Sequence, residues 1–490
     1  MQPGAPLQPE GDRSPLRELL AVAGPAVVTM VSPAIMQFAD AVMVARISPT
    51  AVAAQGNGSM AAFIAMAVIA GLVSVINTFA AQNYGAKRYN RCGRYGWTAF
   101  WLSLWCSILV APLAFFVDAF FRLLGHGEGS DAARDLLRME TQYAAILIAF
   151  AVFPSSVARG IGQFFYGIHR PNVVMVSTIV ANLVNIFVSY LLIFGIAGLP
   201  ALGVAGAAIG TVIGHVVEML IPMALFLSRE FDAKYATRTT WRPSFAPIRE
   251  ILKLGWPAAL HFGNEIACWG LFMAWVVPAA VTKADAPAAI AASYIALNWL
   301  KLGFLPVVGL SFGVTAVVGA QIGKGNPDAA LHRAMLGLRI GMLYMVVLGV
   351  VMLVLRVPMA QIFVDKDAAL SDPDLAAKTL SAGAKIIALM AIFQAFDALA
   401  IVMGGALRGA GDTAWPGLVV VGSAWGILIG GGLLVGRLAP SLGSVGPWLA
   451  AGAYLGISGL ALYWRFKAGK WRTFDILSRD PGEAPSRVAS

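Results

Sequence analysis

Two short stretches decide how this chain is read: LRELLAVAGPA at residues 16–26 and IREILKLGWPA at 248–258. The Arg-Glu pair and the Pro-Ala pair coincide at an offset of 232 residues, placing Glu18 opposite Glu250 and Pro25 opposite Pro257. Further landmarks recur in order. Ala81-Gln82 with Gly85 parallels Ala320-Gln321 with Gly323, with one residue gapped, and Gly167 parallels Gly409. A chain that repeats its landmarks is searched for a duplicated architecture before anything else.

Composition says what is duplicated. Of 490 residues, 59% are hydrophobic and 12% charged, with mean hydropathy +0.75. A soluble protein carries about 25% charged residues, so half the usual charge cannot coat a surface of this size. The apolar runs are long and continuous, which excludes the alternation of a transmembrane β-barrel. A spanning helix needs about 20 mostly apolar residues. Twelve candidates follow: 18–45, 52–81, 93–121, 139–167, 172–197, 201–228, 250–281, 287–321, 331–356, 376–407, 414–436 and 446–466. The expectation is an all-α polytopic membrane protein of twelve transmembrane helices in two pseudo-symmetric six-helix lobes. The lobes span 16–228 and 248–467, joined by a cytoplasmic linker at 229–247. A disordered tail at 1–15 and a second tail at 468–490 complete the chain. Both halves start on the same side, so they are parallel repeats, and a substrate site between them is the default for transporters built this way.

The net charge of +10 does not point to nucleic acid, because the basic residues sit in short loops. With the N-terminus inside, 22 of the 35 Lys and Arg fall in inner segments and 9 in outer ones. Such an excess places both termini in the cytoplasm. Cys92, Cys106 and Cys268 are far apart, so neither a disulfide framework nor a metal site is indicated. The first residues lack the basic start and cleavage site of a signal peptide.

The stretches AQNYGAKRYNRCGR (81–94), NIFVSYLLIFG (185–195), ALGVAGAAIGT (201–211), VGAQIGKGNPDAA (318–330) and QAFDALAIVMGGALRGAGDT (394–413) resemble the multidrug and toxic compound extrusion family, from about Leu16 to Phe466. The C-terminal half is similar to NorM-like members. The resemblance implies two six-helix lobes around a central cavity and export of amphiphilic organic cations against inward H⁺ or Na⁺. It further implies a multi-pass protein of the bacterial inner membrane, acting as a monomer with the lipid bilayer and its small-molecule substrates as its partners, and no cofactor besides the coupling ion.

A charge at the bilayer centre costs about 2.5–3.5 kcal/mol on insertion scales, so acids inside spans are the candidate site. Glu265 lies eight residues after Pro257, with His261 and Trp269 one turn to either side and Phe272 following on the same face. An acid flanked by aromatics suits a lipophilic cation through charge and cation–π attraction. Its spacing matches the acid of Na⁺-coupled, NorM-like members, and His261 is read as a packing residue, with proton relay as the alternative. Asp397 matches the coupling-cation carboxylate of the C-terminal lobe. Two neighbouring carboxylates cannot both ionise freely, so the pair would share a proton or a Na⁺ ion.

Asp40, 15 residues after Pro25, matches the acid of H⁺-coupled members, with Asn185 and Thr211 at the family's partner positions. Ser189 departs from that pattern, standing where an Asp is expected. Lys301 lies at a depth similar to Glu265, either neutralising Glu265 or Asp397 or swinging between them, and it tilts the reading toward H⁺. Pro25 and Pro257 are read as hinges or static kinks. His215 and Glu218 are expected to pair, Arg159 to cap a polar cluster, and Gly206, Gly210 and Gly214 to pack helices.

Two other readings compete. Gly409-Ala410-Gly411-Asp412 has the GxGD form of an intramembrane aspartyl protease, but Asp397 and Asp412 are 15 residues apart, about 22 Å along one helix. A lipid-linked oligosaccharide flippase needs cationic cavity residues, for which Lys301 and Arg159 are the candidates. No enzyme motif is present.

Overall fold

The computed structural model describes residues 14–196, 198–364 and 372–477. The tail expected at 1–15 therefore lies almost wholly outside the described residues. The chain forms twelve spanning segments: α1 (Pro15–Ala45), α2 (Pro49–Gly85), α3 (Tyr89–Leu123), α4 (Asp131–Gly167), α5 (Pro171–Phe194), α6 (Val204–Phe226), α7 (245–279), α8 (Ala286–Gly323), α9 (Pro327–Val354), α10 (Pro373–Gly409), α11 (Ala414–Leu438) and α12 (Val445–Lys467). Eleven of these are long and apolar enough to cross a membrane by composition. The exception is α7, diluted by Lys253, His261, Asn264 and Glu265. The polar residues that weaken it as an apolar span are the ones that make it a candidate site.

Serine and asparagine caps start several helices. Ser48 and Ser130 accept from the backbone N–H three residues on, at 3.0 and 3.2 Å. Proline at the first helical position follows at Pro49, Pro171, Pro327 and Pro373, where its missing N–H costs nothing. Pro25 and Pro257 both sit inside unbroken helix, and so do Pro33 in α1 and Pro306 in α8.

Two apolar cores form, one per lobe, and the repeat shows in how they exchange helix ends. Leu19, Val22 and Ala23 of α1 belong to the C-terminal core. Ile251, Ala258 and Ala259 of α7 belong to the N-terminal core. Leu19 and Ile251 are the same position of the two quoted stretches. Each lobe thus lends the first turns of its first helix to the other.

The lobes meet at the end that carries both termini. Glycine makes the closest approaches. A Cβ on Gly85 would lie 2.0 Å from the Ala320 carbonyl oxygen, and one on Gly323 would lie 2.0 Å from that of Gln82. The AQ…G landmarks of the sequence are therefore the seam where α2 and α8 touch backbone to backbone. Polar groups close around it. Thr78 donates to the Arg408 carbonyl at 2.8 Å, Gln82 to that of Gly409 at 3.0 Å, and Asn77 to that of Phe312 at 3.2 Å. The repeated glutamates lock the same end. Glu18 accepts from Arg333 at 2.8 Å and from Gln321 at 3.1 Å, while Glu250 accepts from the Tyr95 hydroxyl at 2.6 Å.

The connection between the lobes contains a short helix, Arg229–Tyr235. It is bolted to the N-terminal lobe: Trp97 and Trp101 of α3 donate to the Thr237 and Trp241 carbonyls at 2.5 and 2.7 Å. Residues after α12 pack too. Trp471 stacks on Phe466 at 5.0 Å, and Arg88 donates to the Leu477 carbonyl at 3.0 Å.

Candidate functional site

The N-terminal lobe gathers one of the predicted groups. The small residues of α6 permit it: a Cβ on Gly210 would lie 2.2 Å from the Ser189 hydroxyl, and one on Gly214 would lie 2.9 Å from the Asn185 Cβ. The close approach sets Thr211 beside α5, where Asn185 Nδ2 donates to the Thr211 hydroxyl and to the Ser189 hydroxyl, both at 3.4 Å. Asp40 of α1 completes the cluster, 2% exposed and facing Ser189, Asn185 and Thr211. Asp40 Oδ1 and Asn185 Oδ1 are buried acceptors with no protein donor. The site thus has idle lone pairs and, among the described residues, no basic side chain paired with Asp40. Sequence reading missed Tyr143 on α4, 2% exposed, which packs against Gly58 of α2 and faces Gln55, Ser59 and Thr211.

The C-terminal lobe holds the second group. Glu265 Oε2 meets His261 Nε2 at 3.5 Å, with side chains 41% and 30% exposed. Asp397 is buried at 9% and feels the Glu265 charge. The Tyr454 ring on α12 lies within the field of both acids. Nothing in the sequence around Tyr454 marks it. Asn264 and Gln394 are polar neighbours that could have been read from their apolar helices. Asn264 Oδ1 accepts from Trp425 Nε1 at 2.7 Å and leaves its own Nδ2 unpartnered, and Gln394 Oε1 is likewise unpartnered.

Three expectations for this lobe are corrected or narrowed. Phe272 is not a cavity residue: it is fully buried, edge-on to Trp448 at 5.3 Å in the C-terminal core. Phe272 stays on the Glu265 face of a regular helix that runs to Leu271, but two turns further on Trp448 of α12 packs over that face. Trp269 belongs to the same aromatic wall, 5.6 Å from Phe272 and 6.0 Å from Trp448. Lys301 makes no ion pair with Glu265 or Asp397 among the described residues. It is exposed, on a polar stripe of α8 with Tyr294 and Asn298.

The remaining charged groups have partners. His215 Nδ1 meets Glu218 Oε2 at 3.1 Å, Thr178 donates to Oε1 at 2.9 Å, and the Arg159 charge reaches Glu218. Asp412 of the GxGD stretch accepts from Arg465 at 2.8 Å and sits on the turn after α10. That ion pair, far along the chain from Asp397, removes the protease arrangement.

Comparison with known proteins speaks to the family and the fold. The model of a family described as MatE matches residues 25–191 and 264–432, one stretch in each lobe. A protein named probable multidrug resistance protein NorM from Burkholderia pseudomallei (strain K96243) is 29% identical over 446 residues, 91% of each chain. One of the same name from Thermotoga maritima is 25% identical over 472 residues, 95% of each chain. Among solved structures, the outward-facing conformation of a multidrug resistance MATE family transporter superposes with TM-score 0.81 at 18% identity, covering 94% of this chain and 98% of that one. A eukaryotic MATE transporter superposes with TM-score 0.78 at 17% identity, covering 94% and 96%. Likeness at that identity speaks for the fold.

Proposed function

The chain belongs to the MatE family, and from that premise we propose that it exports amphiphilic organic cations in exchange for inward protons, by rocking two lobes about a central cleft. The curated relatives named as multidrug resistance proteins support the substrate class. One observation carries the reading: Asp40, Glu265 and Asp397 lie inside spans, and no Lys or Arg pairs with any of them among the described residues. Acids in a low-dielectric interior without a basic partner take up whatever cation reaches them.

Protons suit Asp40 better than Na⁺ does. A protonated Asp40 supplies a donor to a cluster that otherwise has two idle buried acceptors. Glu265, more open and beside Trp269, suits the organic cation, so drug and coupling ion act on the two lobes at once. The Lys and Arg excess sets the sealed seam in the cytoplasm, which makes this conformation outward-facing in a bacterial inner membrane.

Dye efflux from everted vesicles under an imposed pH or Na⁺ gradient tests the proposal. A pH gradient should drive cationic dyes in the wild type and fail to do so in Asp40→Asn. If neither gradient moves any cationic dye, the exporter reading fails. Drive by Na⁺ alone overturns the assignment of protons.

A further inference from the structure

Asp40 is buried, so its protons need a way in. On the end opposite the termini, the connection between α3 and α4 reads GHGEG at 125–129. Gly125 and Gly127 have φ of +85° and +88°, a left-handed backbone open to glycine. These turns fold His126 back over α4, where its ring stacks on Phe121 at 5.6 Å. Its Nδ1 meets Glu140 Oε1 at 2.6 Å. The His126 side chain is 30% exposed and that of Glu140 is 0% exposed. A fully buried carboxylate is thus tied to the outer solution through one imidazole.

Glu140 leads inward. Its Oε2 accepts from Asn57 Nδ2 of α2 at 2.9 Å. Tyr143 stands three residues on along α4. Gly58 lets α4 come close enough to share these groups: a Cβ there would lie 2.8 Å from Tyr143 Cδ1 and 3.1 Å from the Glu140 carbonyl oxygen. Buried Tyr143 faces Ser59 and Gln55 of α2 and Thr211 of α6, the side of the lobe on which Asp40 lies. Across this stretch α2 presents only the neutral Gln55, Asn57 and Ser59, α6 presents Thr211, and α3 presents Phe121. Among the described residues no Lys or Arg bonds to any member.

We propose that His126 and Glu140 form the entry of a proton route from the outer face to Asp40. His126 gives its Nδ1 proton to Glu140 and takes another from solution on Nε2. Glu140 holds that proton beneath the outer surface, and from there it moves inward along the α2–α4 face, past Tyr143, to Asp40. The chain ends with one proton gained by Asp40, one lost by outer water, and both relay residues restored after the His126 ring reorients. His126 and Glu140 are relay residues, not part of the drug site. The inference rests on the proton-coupled reading proposed above.

The test uses the full-length protein in proteoliposomes and a cationic dye, with two assays side by side: transport driven by a pH gradient, and dye–dye exchange with no gradient. Glu140→Gln and His126→Gln should slow gradient-driven transport by about tenfold or more at alkaline outer pH, since positioned proton-transfer groups contribute on that scale or above. Exchange should stay at the wild-type rate. Acid outer pH or added imidazole should restore the driven rate in His126→Gln, and Glu140→Asp should retain it. Two results overturn the relay: a wild-type pH profile in Glu140→Gln, or an equal loss in both assays, which marks a purely structural tie between α2 and α4. Gradient-driven transport that survives Asp40→Asn sinks the proton-coupled reading itself, whatever the relay variants do.

Discussion

Gly323→Ala should pry open the seam between the lobes. The added Cβ would fall 2.0 Å from the Gln82 carbonyl oxygen, 2.8 Å from its carbon and 2.9 Å from its Cα. All three are backbone atoms, so no rotamer change relieves the clash. Real Cβ contacts stay beyond about 3.0 Å, so α8 must retreat from α2 by about 1 Å while the lobes are closed at this end. Overpacking of this kind costs roughly 1–3 kcal/mol. The open arrangement escapes the cost, so the equilibrium moves toward it by about 5- to 150-fold. The reporter is a cysteine at Ala316, a fully buried seam position whose carbonyl lies 3.5 Å from His169, in a background with Cys92, Cys106 and Cys268 replaced. Its labelling by an impermeant maleimide from the terminus-bearing side should accelerate by that factor. Gly85→Ala, the repeat-related contact, should do the same. Gly24→Ala, with nothing within 4 Å of its added Cβ, should not. Unchanged labelling in Gly323→Ala with the protein fully folded refutes the seam as the closing contact.

Asp397→Asn should abolish coupled efflux while leaving thermal stability unchanged or raised, because the buried carboxylate has no basic partner to lose; wild-type efflux in that variant sinks its place in the site. Phe272→Ala should cost about 3–5 kcal/mol of stability, read by thermal melting, and leave the order of preferred dyes as in the wild type; a changed dye preference would return Phe272 to the cavity. At the end opposite the seam, the Thr282 hydroxyl and the Lys378 ammonium hold the Asp285 carboxyl below the usual range. A depressed acid stabilises the fold above its unfolded pKa of about 3.9 and loses that contribution as pH falls. Lys378→Met should therefore lower the melting temperature slightly at neutral pH and not at all in strong acid, and an equal drop at both refutes the pairing.

What the sequence disclosed and what it withheld follow from range. The twelve spans and the duplication are local patterns, set by apolar run length and by landmarks such as Gly85 and Gly323 that only close contact requires. The acids Asp40, Glu265 and Asp397 stand out because each interrupts an apolar run. Tyr143 and Tyr454 do not, since a tyrosine in a spanning helix is unremarkable until the fold places its hydroxyl or ring beside an acid. Phe272 was misplaced because helical spacing names a face and not what packs against it: two turns beyond Glu265, Trp448 of α12 covers that face. Lys301 was paired by depth alone, and depth says nothing about azimuth: α8 turns it onto the exposed stripe with Tyr294 and Asn298. Glu140 escaped notice because it follows Arg134, Asp135 and Arg138 in the charged first turns of α4, where an acid looks like ordinary surface.

The strength of the seam and the strength of the site have to match for the lobes to rock. Six hydrogen bonds from Asn77, Thr78, Gln82, Tyr95, Gln321 and Arg333 cross it. At about 0.6–1.5 kcal/mol net apiece they hold it by roughly 4–9 kcal/mol. Moving a two-state equilibrium from one side to the other needs a differential of about 5.5 kcal/mol, the same scale. A proton on a buried acid and an organic cation on another can supply that between them, at about 1.4 kcal/mol for each tenfold difference in affinity between the two states. Three of the six bonds end on backbone carbonyls and three on the carboxylates of Glu250 and Glu18, the Glu18–Arg333 contact being an ion pair. In the proposed function the acids, without a Lys or Arg partner among the described residues, are the groups whose cations shift the balance.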